Sequence, residues 1–296
     1  MKRADVIVIG AGPSGLRAAG RLAAAGLDVR VLEKKSRVGA NVVCTGIVGK
    51  EVFDDFGLQK KLGLATPRDF LKEAQVEASF PGRDTTTLFF GRDVAPGAFA
   101  WSVPAGEGRV RVGLLTKRDP KACLRKLLDA RFNGRPGTGG EAPIRTKPVA
   151  QGLLSGTFGD RVLAVGEAAG QTKTTTGGGI SYGLTCADLA ADVILECFGR
   201  SSFGAADLAE YERRWKGLLK KEIVVGQYTR RMCARLSDGR IESLFHLAQT
   251  DGIVPIIREK ADFDWHSGLI FALLQRLSFM KYFRDVKDRL GPVGLS

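Results

Sequence analysis

The first part of the sequence contains a strand, a glycine-rich turn, a helix, a second strand and an acid in close succession. These elements are the apolar run Val6–Ile9, the turn at residues 10–15, the helical pattern at residues 16–25, the apolar run Val29–Leu32, and Glu33. This order is typical of the first βαβ unit of a Rossmann-type domain, which binds a dinucleotide at its glycine turn. The unit therefore predicts a parallel sheet and a nucleotide site.

The glycines of the turn have separate physical roles. Gly10 permits a tight turn, Gly12 allows the backbone to approach a pyrophosphate, and Gly15 allows the helix to pack closely on the strand. Glu33 is placed to accept hydrogen bonds from ribose hydroxyls. A plain tight turn is the alternative, and the flanking strands with the acid favour the nucleotide site.

A second glycine-rich motif lies far downstream, at residues 166–180. An apolar run at residues 162–165 predicts a buried strand that turns at Gly166, and residues 177–179 are three consecutive glycines before an Ala/Leu-rich helical pattern. Backbone amides at such a helix start can approach a ligand closely and favour negative charge. The pyrimidine edge of a reduced flavin carries such charge, so this motif indicates a flavin.

The middle of the chain changes to the period of a β-sheet. Short runs at residues 75–80, 87–90, 98–103 and 109–114 lie between Gly and Pro turns, which predicts an antiparallel sheet. Asp119 and Pro120 predict the start of a helix that runs to Phe132, with Asp as the cap.

The predicted fold class is α/β: a Rossmann-like FAD-binding domain split by an antiparallel β-sheet substrate domain, with a helical C-terminal region. The predicted boundaries are 1–62 and 133–200 for the two parts of the FAD-binding domain, 63–132 for the sheet domain and 201–296 for the helical region. A further short helix is predicted at residues 50–62 from its apolar spacing.

Charge and cysteine usage restrict the class of protein. The net charge of +13 favours anionic partners, but no nucleic-acid module is present, so nucleic acid is not expected. A role in solubility alone is the open alternative for the positive net charge.

The five cysteines are scattered without paired spacing, which predicts a reducing cytoplasm, no disulfide framework and no metal site. No apolar run reaches the roughly 20 residues of a membrane span.

These features together resemble the geranylgeranyl reductase family, within the flavoproteins built like p-hydroxybenzoate hydroxylase. The resemblance covers most of the chain. The segments that carry it are residues 10–15 with Glu33, residues 44–46, residues 95–101 leading to Pro104 and Gly113, residues 166–183 and residues 263–266.

The resemblance implies an FAD-dependent oxidoreductase that reduces isolated C=C bonds of isoprenoid chains in prenyl lipids or related compounds. The implied electron donor is a reduced nicotinamide or a ferredoxin-like protein. The residues expected to bind FAD are Gly10, Gly12, Pro13, Ser14, Gly15, Glu33, Lys34, Gly166, Glu167, Thr175, Gly177, Gly178, Gly179 and Ile180.

Three further side chains are candidates for substrate chemistry. The resemblance places Cys44 near the flavin ring, where it would position substrate or assist protonation, and a small buried thiol is the alternative. Trp101 and Tyr182 are candidates for lining a prenyl channel, although aromatic residues in strands and helices are more often core.

Two departures from the family pattern stand out. Glu167 occupies the position where these flavoproteins usually carry Asp, and it is one methylene longer but able to bind the ribityl chain in the same way. The interval at residues 34–73 is shorter than in the family, which has extra strands, an Asp-Gly segment and helices there. This shortening affects the expected adenine side of the site and the substrate tunnel.

Alternatives remain open at this point. A flavin-dependent monooxygenase or halogenase on the same fold is the nearest one, and a degenerate non-catalytic protein that binds flavin weakly or not at all is the other. The apolar run Leu269–Leu274, with Leu277 and Met280, precedes Lys281, Arg284, Lys287 and Arg289. Such a segment either lies on a membrane surface, as a peripheral contact of a cytoplasmic protein, or packs on the protein's own domain.

Overall fold

The computed structural model describes residues 3–38, 69–80, 84–132, 143–250 and 252–276. The fold is α/β and divides into two compact units. The first unit contains residues 1–70 and 148–224, and the second contains residues 71–147 and 225–296.

The first unit begins with the predicted βαβ arrangement. Strand β1 (Val6–Ile9), helix α1 (Pro13–Ala24) and strand β2 (Val29–Leu32) follow one another, and β1 pairs with β2 in parallel from Val6↔Val29 onward. Pro13 occupies the first helical turn, where its missing N–H costs no hydrogen bond. The predicted βαβ arrangement is therefore confirmed.

The two faces of β1 differ in exposure because successive side chains point to opposite sides of a strand. Val8 lies under α1, within contact distance of Gly15. Ile7 and Ile9 on the other face are exposed to 59% and 43%. Among the described strands, only β2 pairs with β1.

In the described residues, the rest of the first unit contains a short hairpin, a 3-10 helix and two long helices. Their bounds are β8 Phe158–Gly159, β9 Val162–Leu163, the 3-10 helix Gly166–Ala169, α3 Ile180–Arg200 and α4 Ala205–Cys233, whose last residues lie in the second unit. The buried strand predicted at residues 162–165 is shorter than expected and half-buried. Gly166 has φ +75° and starts the 3-10 helix, which ends the strand early.

Helices α3 and α4 share the main hydrophobic core of the first unit. Its fully buried members include Cys186, Val193, Tyr211 and Trp215. All buried members of this core recur three or four positions apart, as expected for two packed helix faces: Tyr182, Cys186, Ala190, Val193 and Cys197 on α3, and Leu208, Tyr211, Trp215, Leu219 and Ile223 on α4. Arg17 and Arg21 of α1 form ion pairs with Asp188 and Asp192 of α3, at 2.7 and 2.8 Å, which join the first helix to this core.

The second unit contains the predicted antiparallel sheet. Its strands are β3 Phe70–Ser79, β4 Thr87–Phe89, β5 Ala100–Gly106, β6 Arg109–Thr116 and β7 Arg145–Ala150, in the order β4-β5-β6-β3-β7; the first residue of β3 and the last three of β7 belong to the first unit. Helix α2 (Pro120–Arg131) buries Leu124, Leu127 and Leu128 in the core that the sheet shares. The side chain of Asp119 caps α2 by accepting from the N–H groups of Lys121 and Ala122, which confirms the predicted start.

Up to residue 276, where the described part of the chain ends, three further helices follow α4, as predicted for the C-terminal region: α5 Asp238–Thr250, α6 Ile253–Lys260 and α7 Ser267–Leu274. The backbone N–H of Arg92 donates to Asp238 at 2.9 Å, and its guanidinium donates to the carbonyl oxygens of Arg235 and Leu236. No helix in the described ranges is long and apolar enough to cross a membrane. The helix predicted at residues 50–62 lies outside the described residues.

Candidate functional site

The backbone of the glycine turn between β1 and α1 packs so closely that two of its positions have no room for a side chain. Gly10 has φ 100°, and its N–H donates to the carbonyl of Leu32 at 2.8 Å. A Cβ placed on Gly15 would lie 2.1 Å from the carbonyl oxygen of Gly10. Glycine is therefore required at both positions for this backbone path.

Glu33 lies at the end of β2, beside the glycine turn, as its predicted role requires. Its carboxylate accepts hydrogen bonds from the backbone N–H of Ala11 at 2.8 Å and of Lys35 at 3.1 Å. The hydrogen bond from Ala11 is the main reason that the pKa of Glu33 lies below its ordinary value. The group is ionised at neutral pH and acts only as an acceptor, which suits hydroxyl donors. Lys34 next to it is exposed.

The downstream loop is held in place by buried side-chain hydrogen bonds. Gln171 accepts from the N–H of Gly166 at 2.6 Å and donates to the hydroxyl of Tyr211 at 2.8 Å. Thr172 and Thr174 donate to backbone carbonyls at residues 150 and 223, at 2.8 and 2.7 Å. Burial raises the pKa of Tyr211 well above its ordinary value, so its hydroxyl remains protonated. The loop is therefore anchored at three separate points of the chain.

Ser14 is the point where the two glycine motifs meet. A Cβ placed on Gly166 would lie 2.7 Å from the Ser14 Oγ, and one placed on Gly183 would lie 2.3 Å from it. Real Cβ contacts do not reach such distances, so a side chain at either position would require the Ser14 hydroxyl to move. The structure thus brings the predicted residues Ser14 and Gly166 together.

The loop then closes a narrow ring before helix α3. The N–H of Lys173 donates to Gly178 and the N–H of Gly177 donates to Lys173, both at 2.7 Å. Gly177 has φ 78°, and Gly179 is the N-cap residue of α3, without a side-chain hydrogen bond. No acidic residue lies in the first turn of α3. The N–H groups at this helix start therefore meet no capping carboxylate of their own helix, and they favour an anionic ligand.

A cavity of about 740 Å³ in the first unit connects most of these parts. Residues 3–10 line it along β1, residues 12–15 at the start of α1, and residues 161–168 opposite. Gly179 and Ile180 at the start of α3 also line it. Glu167 is among the lining residues, and both of its carboxylate oxygens have almost no accessible surface. The volume falls in the range of pockets that hold cofactors.

These residues fit FAD. Gly10 and Gly15 have no side chains to obstruct the turn at the start of α1, and Gly12, the N-cap residue of α1, provides no side-chain capping hydrogen bond. Two uncapped helix N-termini, those of α1 and α3, border the same cavity. This arrangement suits a ligand with a pyrophosphate at one helix start and an anionic ring edge at the other.

The other predicted site residues have different positions. Tyr182 is 3% exposed and lies in the core of the first unit, and Trp101 is half-buried on β5 of the second unit. The indole of Trp101 covers Gly113, because a Cβ there would lie 2.5 Å from the ring. Thr175 is half-buried in the downstream loop. Cys44 lies outside the described residues, so its role stays a prediction.

Sequence reasoning missed the side chains that anchor the downstream loop. Gln171 and Tyr211 bond to each other across 40 positions, and only the spacing of Tyr211 on an apolar helix face signalled that it would point inward. Lys173 was likewise not recognised, although it is only 7% exposed. In the second unit, Glu73 and Lys147 form a buried ion pair at 3.3 Å, and burial raises the pKa of Glu73.

Comparison with known proteins agrees with this architecture. The model of the NAD(P)-binding Rossmann-like domain matches residues 8–57. The chain is 31% identical to digeranylgeranylglycerophospholipid reductase 2 of Methanothermobacter thermautotrophicus over 199 residues, which are 63% of this chain and 50% of the relative. It is 29% identical to the digeranylgeranylglycerophospholipid reductase of Methanocaldococcus jannaschii over 207 residues, covering 67% of this chain and 50% of the relative. The chain spans about half the length of the curated relatives it matches.

Solved structures show the same fold. A geranylgeranyl bacteriochlorophyll reductase-like protein of Thermoplasma acidophilum superposes with a TM-score of 0.74 at 16% identity, covering 96% of this chain and 98% of that chain. A flavin-dependent brominase superposes with a TM-score of 0.58 at 12% identity, covering 97% and 99%. These likenesses confirm the predicted α/β flavoprotein-type fold.

Proposed function

Because this chain is a sequence relative of archaeal digeranylgeranylglycerophospholipid reductases, we propose that it is an FAD-dependent oxidoreductase that reduces isolated C=C bonds in isoprenoid lipid chains. The observation that carries the proposal is the meeting of two glycine motifs at Ser14, on the wall of one cavity. A single dinucleotide turn would fit many ligands. Two such motifs around one cavity favour a ligand that extends from one helix start to the other.

In this proposal each part of the cavity has a separate binding role. The turn at residues 10–15 would receive the pyrophosphate, and the ionised Glu33 would accept hydrogen bonds from the ribose hydroxyls. Glu167 would bind the ribityl chain, because this residue is among those that line the same cavity. The start of α3 would lie at the pyrimidine edge of the flavin.

An isolated alkene has no electron sink, so its reduction requires a hydride and a proton delivered to neighbouring carbons. Reduced FAD would supply the hydride when bound. The protein would orient the alkene and exclude water from it. Cys44 remains the predicted candidate for assisting protonation, while Trp101 and Tyr182 remain candidates for the wall of the prenyl channel.

The visible spectrum of the purified protein is the first test of the proposal. We expect flavin absorbance and a 1:1 content of FAD after denaturation and extraction. Protein reduced with dithionite and incubated with a geranylgeranyl lipid should then add two hydrogens per double bond, measured by mass spectrometry. Replacing dithionite with NADPH or a reduced ferredoxin would identify the electron donor. A protein that binds FAD but never changes the mass of the lipid would contradict the proposed reaction.

The same preparation discriminates the two alternative functions. A monooxygenase or halogenase would consume NADPH and oxygen when an aromatic substrate is added. A degenerate protein would remain colourless after FAD is added and dialysed away. Neither result would be compatible with the reductase.

We further propose that the protein makes a peripheral contact with anionic membrane surfaces through the end of the second unit. Phe263 is 88% exposed between α6 and α7, and Arg258 and Lys260 lie in the last turn of α6. Exposed aromatic residues beside cations suit a lipid interface.

We expect the protein to sediment with phosphatidylserine vesicles at low salt. High salt should abolish this binding, because it screens surface charges. The Phe263→Ser variant should bind the vesicles more weakly. Leu88→Ser, which removes an exposed apolar side chain from β4, is the control. Equal binding to neutral phosphatidylcholine vesicles would contradict an electrostatic contact.

A further inference from the structure

The cavity of the first unit continues past the glycine turn and along the whole of β1. Residues 3–10 line one of its sides, and residues 161–168, which include β9, line another. Away from the turn its lining is largely apolar and includes Ile194, Phe198 and Phe203. Ligands of open α/β sheets bind outside the carboxyl ends of the strands, so FAD would leave the space between β1 and β9 to another occupant.

Both of these strands have an unpaired edge within the part of the chain that the structure describes. There, β1 pairs only with β2, and β9 pairs only with β8. The N–H groups of Val6 and Gly10 donate to carbonyl oxygens in and beside β2, at 3.2 and 2.8 Å. Because successive N–H groups of a strand point to opposite edges, those of Ile7 and Ile9 point away from β2. The glycine-motif strand of a doubly wound sheet ordinarily has a neighbour on each side.

The strands β1 and β9 run in the same direction along the cavity. β1 leads into the glycine turn and β9 leads to Gly166, and a Cβ on Gly166 would lie 2.7 Å from the Ser14 Oγ. Their carboxyl ends are therefore close together. Arg3 and Arg161 precede the two strands and line the same cavity at their amino ends. A third strand parallel to both would begin beside these two arginines.

We propose that the space between β1 and β9 accepts a strand from another polypeptide chain: an extended apolar segment, parallel to β1, with an acidic residue at its start. Such a strand would pair with the free edges of β1 and β9, whereas an isoprenoid chain would leave their backbone N–H and C=O groups without partners. Apolar side chains suit a strand that has neighbours on both sides.

Charge selects the acidic residue at the start of the segment. Arg161 is exposed, and its guanidinium lies over the ring of Phe203, 5.1 Å from the ring centroid. Asp5 also lines this end of the cavity, and its carboxylate already accepts from the N–H of Asp28 at 2.8 Å. An acidic residue of the incoming strand would therefore face two cations, which favours the parallel direction over the antiparallel one.

The probe is a fluorescently labelled synthetic peptide with the sequence of residues 4–10, which is an acid followed by a β-branched strand. In one peptide variant, Val8→Pro removes an N–H donor from the middle of the strand, where proline is excluded from sheet interiors. In a second, Asp5→Lys reverses the charge at its start. Fluorescence anisotropy measures binding to the full chain. Hydrogen exchange, followed by NMR of isotope-labelled protein, reports on the Ile7 and Ile9 amides of the protein itself.

We expect the Val8→Pro peptide to bind about tenfold more weakly, which corresponds to the loss of one hydrogen bond. The unaltered peptide should slow the exchange of the Ile7 and Ile9 amides. The protein variant Arg161→Glu should bind the acidic peptide about fivefold more weakly and should bind the Asp5→Lys peptide more tightly. Lys220→Glu is the matched control, because Lys220 is exposed on α4 and is not among the residues that line this cavity.

Equal binding of the Val8→Pro peptide, or no binding of the unaltered peptide, would overturn the inference. Slow exchange of Ile7 and Ile9 without peptide would also overturn it, because the chain itself would then fill the space, or a second copy would if the protection increased with protein concentration. Displacement of the peptide by a geranylgeranyl lipid would assign the space to lipid instead. FAD titration is a separate measurement: a protein that binds the peptide but no FAD would refute the proposed function and leave the strand site standing.

Discussion

Replacing Gly15 with alanine is expected to abolish FAD binding and to lower the free energy of unfolding by about 3 kcal/mol or more, since overpacking against backbone leaves little room to relax. The added Cβ would lie 2.1 Å from the carbonyl oxygen of Gly10 and 3.3 Å from a methyl group of Val8. The first contact is with backbone, which cannot rotate away. The turn must therefore open, and the binding site for the pyrophosphate would be lost. FAD titration followed by absorbance, and chemical unfolding, measure the two effects.

Helix α1 contains its own control for this substitution. Gly20 lies in the same helix, and a Cβ added there would meet nothing within 4 Å. Gly20→Ala should bind FAD normally and gain roughly 0.5–1 kcal/mol of stability, because alanine restricts the unfolded chain and favours helix. If both variants bound FAD equally well, the close packing of the glycine turn would not be required for the cofactor.

Truncation of Trp215 to alanine should cost about 3–5 kcal/mol of stability in the first unit, as for other buried aromatic residues. The side chain is fully buried between α3 and α4, and its indole N–H donates to the hydroxyl of Thr157 at 3.0 Å. Thr157 in turn donates from its N–H and hydroxyl to Glu212, at 2.7 and 2.9 Å. The variant would therefore leave a large cavity and also remove one bond from this network. A lower denaturant midpoint, followed by near-ultraviolet circular dichroism, is the measurement.

Trp215→Phe separates the two contributions. The phenyl ring of this variant fills most of the volume of the indole but lacks its N–H donor. The expected loss in the free energy of unfolding is therefore about 1 kcal/mol, typical of one hydrogen bond. A similar loss for both substitutions would mean that the hydrogen bond to Thr157, rather than packing, dominates at this position.

The local parts of the fold follow from the sequence because short-range chemistry decides them. Gly10 and Gly15 specify the turn between β1 and α1, and Asp119 with Pro120 specifies the start of α2. The alternating runs of the middle segment likewise predict β3 to β6. These signals depend on residues next to one another in the chain.

Elements that depend on distant partners were not predictable in this way. Strand β7 (Arg145–Ala150) contains charged residues and Pro148, so its composition does not indicate a strand, and its place beside β3 is set by the sheet. Gln171 is a polar residue in a loop, and its anchoring role arises only when Tyr211 arrives from α4. The predicted domain boundaries and the role of Cys44 stay predictions.

The contacts of Ser14 also restrict how this sequence can change over evolutionary time. Its hydroxyl occupies the space that a side chain at Gly166 or Gly183 would need, although Ser14 lies far from both of them in the chain. A side chain at position 166 or 183 therefore requires the Ser14 hydroxyl to move, a smaller residue at position 14, or a greater distance between α1 and α3. We expect homologues with a side chain at position 166 or 183 to carry glycine or alanine at position 14 more often than serine.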